Sequence, residues 1–152
     1  MQKVAIYSIL KKGKDEFDEI NQNYVKLISR FADVKDECIF NKQIEKAQKE
    51  GGVVAKASYT EAFLPLMKGY SVILDPVGKE MTSEQFSRIF EENDHIAFFI
   101  GGAYGFDERI KQKADKVISL SRLTMSHKLA RSMLLEQIYR GLTIINNHPY
   151  HK

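Results

Sequence analysis

One cysteine in 152 residues, Cys38, excludes an intrachain disulfide and a four-cysteine zinc site. Long apolar runs are equally scarce. The N-terminal stretch Val4–Leu10 is too short to span a bilayer and lacks the basic flank and small-residue cleavage site of a secretion signal. It reads as a first buried strand, and cytoplasmic residence is the expectation. Repeats, low-complexity tracts and linker-like segments are missing too, so residues 1–152 are expected to form a single domain. Two nucleotide signatures are absent. No G-x-x-x-x-G-K-[ST] loop occurs, and the glycine-rich segment Gly101-Gly102-Ala103-Tyr104-Gly105 has neither the spacing nor the early position of the dinucleotide fingerprint. A nucleoside triphosphatase and an NAD-type site are disfavoured. His127, His148 and His151 have no matching carboxylate cluster, and no metal is expected.

What is present is ordinary in bulk and uneven in detail. Hydrophobic residues at 43% and charged residues at 28% fit a globular chain with a real core. The net charge of +3 is concentrated late. Residues 1–100 carry 14 Lys and Arg against 16 Asp and Glu, whereas residues 101–152 carry 9 against 4. A basic half holding the glycine-rich loop suggests an anionic partner such as nucleic acid, although a solvated basic face explains the charge equally well.

Periodicity predicts strands near 3–10, 34–40, 70–74, 95–100 and 116–120. Helices are predicted near 15–31 with Asp15 as cap, 42–49, 53–67, from Thr82 with Gln85 completing a capping box, 107–114 and 127–145. The alternation implies an α/β fold with a mainly parallel sheet flanked by helices. The segment His127–Ile145 is apolar on more than one side, which suggests a second buried face against another subunit.

Three apolar strands each run into an irregular loop. They are Val72-Ile73-Leu74 into Asp75-Pro76-Val77-Gly78-Lys79, Phe98-Phe99-Ile100 into Gly101–Gly105, and Val117–Leu120 into Ser121-Arg122-Leu123-Thr124-Met125-Ser126. In an open parallel sheet such loops meet at the carboxyl ends of the strands and enclose a ligand site. Glycine in the middle loop permits close backbone approach, so a branched side chain at 102 is expected to occupy ligand space. Ser126 is better read as the cap of the following helix than as a nucleophile. Arg122, Arg131 and Arg140 form a candidate phosphate-reading set, with pairing to acidic neighbours or exposure to water as the alternatives.

Five segments in order, Leu74–Lys79, Phe99–Gly105, Ser119–His127, Leu135–Arg140 and the C-terminal tail Asn147–Lys152, resemble the ribosomal RNA large subunit methyltransferase H family. The resemblance spans the chain, is dense from residue 70 and loose before it. It implies a SPOUT-type fold with a C-terminal trefoil knot, an exception to the rule against knotted chains. It also implies a homodimer, S-adenosylmethionine as methyl donor, and N3 of pseudouridine 1915 in 23S rRNA of the assembled ribosome as acceptor. Partners are then a second copy and the ribosome, with neither membrane nor DNA. The implied cofactor contacts are Leu74, Gly102, Ser121, Arg122, Leu123, Thr124, Met125 and Ser126. Ser126 departs from the proline common there in the family.

Methylation at N3 requires removal of an imino proton, by a base or in a positive environment that lowers its pKa. Arg140, Tyr150 and His151 are the candidates, with the tail reaching the pocket of a partner subunit. A SPOUT-like ribosome assembly factor without catalysis is the alternative, and so is a nucleotide-binding α/β protein unrelated to RNA.

Overall fold

The computed structural model describes residues 1–152, in which five strands alternate with six α-helices. In chain order these are β1 (Gln2–Ile9), α1 (Asp18–Ile28), β2 (Ala32–Ile39), α2 (Lys42–Glu50), α3 (Gly52–Phe63), β3 (Tyr70–Glu80), α4 (Ser83–Glu92), β4 (His95–Ile100), α5 (Glu108–Lys113), β5 (Lys116–Ser119) and α6 (His127–Ile145). All strand pairings are parallel, in the order β2-β1-β4-β3-β5.

Strand residues alternate faces, so a sheet covered on both sides sorts its apolar residues into two cores. Val4, Ile6, Val72, Ile96, Phe98 and Ile118 pack with α1, α4 and α6 on one face. Tyr7, Ile9, Ile73, Ala97 and Phe99 pack with α2, α3 and α5 on the other. The chain changes face after β5. Ile110 of α5 belongs to the second core, whereas Leu134, Leu135, Ile138 and Leu142 of α6 belong to the first. The Leu120–Ser126 loop makes that change.

Local chemistry sets the helix ends. Thr82 Oγ1 accepts from Gln85 N at 3.1 Å and Gln85 Oε1 accepts from Thr82 N at 2.9 Å, completing the expected capping box. Ser126 Oγ accepts from Leu129 N at 3.3 Å, the capping role expected of it. Asp15 does not cap α1 directly. Its carboxylate accepts from Phe17 N at 2.8 Å, forming an Asx turn, and the helix begins at Asp18 without a side-chain cap. The helix expected over 53–67 ends at Phe63 and tightens to a 3-10 turn, Leu64–Leu66, around Pro65.

Strand β3 is longer than expected because it leaves the ladder and rejoins it. Leu74 and Lys79 both register with Ile118 of β5, so Asp75–Gly78 is an outward loop within one strand. Gly78 lies against β5 so closely that a Cβ there would stand 2.7 Å from the Ile118 carbonyl carbon. Glycine is required at that contact. The apolar surplus of α6 is also absorbed inside the chain, since the helix packs between α1, α4 and the sheet. Of its large apolar residues only Leu129 is substantially exposed.

Candidate active site

The carboxyl ends of β3, β4 and β5 share one edge of the sheet, and their loops converge there as expected. They enclose a cavity of about 260 Å³ with Leu74, Pro76, Ile100, Phe106, Leu120 and Met125 among its apolar walls. Gly101, Gly102, Ser121, Thr124 and Ser126 form much of the polar part of the lining, and Arg122 of the same loop takes no part. Its side chain is 84% exposed and its Nε lies 2.9 Å from Glu80 Oε1, which points it away from the cavity. The other seven expected cofactor contacts line one pocket: Leu74, Gly102, Ser121, Leu123, Thr124, Met125 and Ser126.

Several lining residues escape a reading of the sequence alone. His127 and Ala130 contribute the first turn of α6, and Phe106 closes the far side of the glycine loop. Ile100 was legible as the strand residue preceding Gly101, but Phe106 is brought in only by the turn in which Gly105 N donates to Gly102 O at 3.1 Å. Burial holds His127 below the usual imidazole range, so its ring favours the neutral form.

Glycine at 102 has a different cause from the one expected. A Cβ on Gly102 would point into the protein and meet Tyr59 and Ile9, not the cavity. Tyr59 is fully buried, its hydroxyl donates to Gln48 Oε1, and it forms a pedestal under the loop. Tyr104 of the same loop donates to the Gln48 carbonyl at 3.4 Å and its ring covers Gly52. The glycine loop is thus seated on the α2–α3 junction.

The cavity fits an S-adenosylmethionine. Apolar walls suit an adenine ring, and the backbone N–H groups of Ala103, Thr124 and Met125 make no hydrogen bond within the chain. A ligand with acceptor atoms would satisfy them. Leu74, Ile100 and Leu120 could flank the base, with the 101–105 and 121–126 loops supplying hydrogen bonds.

Arg140, Tyr150 and His151 come together, but elsewhere. Arg140 Nε donates to Glu136 Oε1 at 3.1 Å, and Tyr150 Oη donates to the same oxygen at 2.9 Å. The guanidinium lies 4.8 Å over the Tyr150 ring, which itself stands 4.7 Å from Tyr139. Arg140 also contacts His151 Nδ1 at 3.1 Å, and His151 Nε2 lies 3.0 Å from Glu84 Oε1. Because guanidinium has no acceptor, Nδ1 accepts and Nε2 carries the proton given to Glu84. Burial, with hydrogen bonds to Tyr24 and Glu136, pushes the Tyr150 phenol far above its ordinary range. Tyr150 therefore stays protonated here. The tail is folded onto α6 and α4, with His148 N donating to Thr143 O at 2.9 Å.

This cluster does not touch the cavity of its own chain. Arg140 follows Ala130 by ten residues along α6, about 15 Å of helix. The three arginines do not converge either. Arg122 pairs with Glu80, Arg140 with Glu136, and Arg131 makes a fork to Asp36 with Nη2–Oδ2 at 2.7 Å and Nε–Oδ1 at 3.0 Å.

A family model described as "Predicted SPOUT methyltransferase" matches residues 2–151. Ribosomal RNA large subunit methyltransferase H of Campylobacter concisus (strain 13826) is 46% identical over 98% of this chain and 99% of its own. The protein of the same name from Aliarcobacter butzleri (strain RM4018) is 47% identical over 99% of each chain. That of Campylobacter hominis (strain ATCC BAA-381) is 47% identical over the full length of both. The chain belongs to the SPOUT methyltransferase family. No helix in this member is long and apolar enough to cross a membrane.

Proposed function

We propose that this protein transfers a methyl group from S-adenosylmethionine to N3 of pseudouridine 1915 in 23S rRNA of the assembled ribosome, in the cytoplasm and as a homodimer. The observation that carries the reading is the cavity itself. Seven of eight residues implied as cofactor contacts line one apolar pocket with free backbone donors, in a chain whose relatives are named as large-subunit rRNA methyltransferases. When bound, the cofactor supplies an electrophilic methyl on a sulfonium. The chain's own residues have to bind it, exclude water from it and manage the acceptor's proton.

The two halves of the site lie apart in one chain, which supports a shared site. Leu123 lines the cavity and is 78% exposed, and the exposed Val77 and Leu129 adjoin the lining residues Pro76 and Ala130 in the chain. An apolar rim around a pocket mouth suits a second copy. A two-fold pair could bring Arg140, Tyr150 and His151 of one protomer to the cavity of the other. In that arrangement Arg140 offers a fixed positive charge, which favours the ionised imide, and Tyr150 a flat ring on which a looped-out base can stack. His151 becomes a proton acceptor only when its Nδ1 is freed from Arg140, because its other nitrogen already carries a proton. The trefoil knot belongs to the same reading. The return of the chain from the α5 face to the α6 face and the closure of Asp75–Gly78 over Ile118 support it.

The test has two parts. Isothermal titration with S-adenosylmethionine should show saturable binding, and sedimentation at micromolar concentration roughly twice the monomer mass. Ribosomes from cells lacking the enzyme should then gain one methyl group at the pseudouridine. Binding without transfer would favour an assembly factor, and no binding would defeat the reading.

A further inference from the structure

The loop joining β1 to α1 carries Lys11, Lys12 and Lys14, which the cavity does not use. We infer that this loop is a phosphate-contacting surface for the RNA substrate, an inference that rests on the rRNA reading above. Its placement is set by topology. In a parallel sheet the carboxyl end of β1 lies on the same edge as those of β3, β4 and β5, and Ser8 registers with Ile100, the residue before Gly101. The lysine loop therefore emerges beside the glycine loop.

The loop is also tied to the end of β2 and to the first turn of α6. Leu10 N donates to Ile39 O at 3.2 Å, and Asp15 Oδ2 lies 3.4 Å from Lys128 Nζ, one residue after the cavity residue His127. Lys11 lies over the Phe40 ring, with its Nζ 5.6 Å from the centroid. All three lysines are exposed and none makes an ion pair.

Charge bookkeeping on this edge then favours the cations. Four carboxylates on this edge are already occupied, Asp15 by Lys128, Asp75 by Lys111 at 3.0 Å, Glu80 by Arg122 at 2.9 Å and Asp107 by Arg109 at 3.6 Å, while Asp18 and Glu19 in the first turn of α1 have no basic partner. Arg131 and Arg140 are held by Asp36 and Glu136. Within the loop only Glu16 stands against the three lysines without a basic partner. An unpaired cluster of ammonium groups beside a pocket holds a phosphate backbone without reading its sequence, as a small protein relying on ribosome shape requires.

The test compares two charge-matched variants for binding to purified ribosomes by co-sedimentation across a salt series. One is K11Q/K12Q/K14Q. The other, K26Q/K68Q/K113Q, removes three exposed lysines at the opposite edge of the sheet. The loop variant should bind ribosomes about tenfold more weakly, and its log–log salt dependence should be shallower by about 2. Its S-adenosylmethionine affinity and circular dichroism should match the parent, and the control variant should bind ribosomes as the parent does. Equal affinity and slope in parent and loop variant would overturn the inference, as would an equal loss in the control. If the parent binds ribosomes in this lysine-dependent way without transferring methyl, the proposed reaction fails and the surface stands.

Discussion

The Tyr59 hydroxyl occupies the place a side chain at residue 102 would need. A Cβ on Gly102 would stand 2.5 Å from Tyr59 Oη and 2.6 Å from its Cζ, with Ile9 Cγ2 at 3.1 Å. Contacts this short against a fully buried ring cannot be relieved by moving a flexible chain end. Substitution at 102 therefore acts by lifting the glycine loop, not by filling the cavity.

Gly102→Ala should lower stability by about 1–3 kcal/mol and weaken S-adenosylmethionine binding together. Combining it with Tyr59→Leu should recover part of both losses, because the second change removes the obstructing atoms. Urea unfolding and isothermal titration of the four proteins check this. Additive effects would mean that the two residues act independently.

The fork between Arg131 and Asp36 joins the first half of α6 to β2. Their side chains are 16% and 8% exposed, so removal of one partner leaves a largely buried charge. Arg131→Met should cost about 3 kcal/mol, and Asp36→Asn introduced with it should restore a good part. Denaturant midpoints decide, and a loss below about 0.5 kcal/mol in the single variant would show that water solvates the orphaned carboxylate.

Much of this architecture was legible from spacing alone. Strand-to-loop transitions at Leu74, Ile100 and Leu120 marked the cavity because buried parallel strands are short apolar runs ending in irregular backbone, and the capping groups of Thr82 and Ser126 act within three residues. Long-range geometry was not legible. Nothing local announces that Tyr59 lies under Gly102, that Gly78 touches Ile118, or that β3 rejoins its ladder at Lys79. Arg122 illustrates the same limit. It sits inside the Ser121–Ser126 loop in sequence, yet its side chain turns outward to Glu80.

His127 links the cavity to pH. Burial lowers its pKa from the ordinary value of 6.5, so the folded state resists protonation that the unfolded state accepts. Below about 6.5 the unfolded chain then binds more protons, and stability falls as pH falls through that window. The denaturant midpoint should drop between pH 7 and pH 5.5, and His127→Gln should flatten that part of the profile. An unchanged slope in the variant would assign the pH dependence to other groups.

Glu136 is the hub that holds the tail. Its carboxylate accepts from Arg140, Tyr150 and Gln137, so two of the three candidates for acceptor chemistry, Arg140 and Tyr150, share one anion. Glu136→Gln replaces charge-assisted hydrogen bonds by neutral ones at a site only partly withdrawn from water, a change of about 1 kcal/mol. The tail should be cleaved by carboxypeptidase about five- to tenfold faster, and methyl transfer should fall while S-adenosylmethionine affinity holds. Deleting residues 149–152 should abolish transfer and likewise spare cofactor binding. His151→Ala and Tyr150→Phe then divide the roles. A His151 base predicts a rate loss partly recovered at higher pH, as the acceptor imide loses its own proton. Tyr150→Phe keeps the ring and removes only the hydroxyl with its bonds to Glu136 and Tyr24, so it should preserve ribosome affinity, whereas Tyr150→Ala should lose it if the ring stacks on a base. Full transfer by the truncated protein would make the tail a structural strap, and the proton would then have to leave through the cavity wall, where His127 is the titratable side chain held neutral by burial.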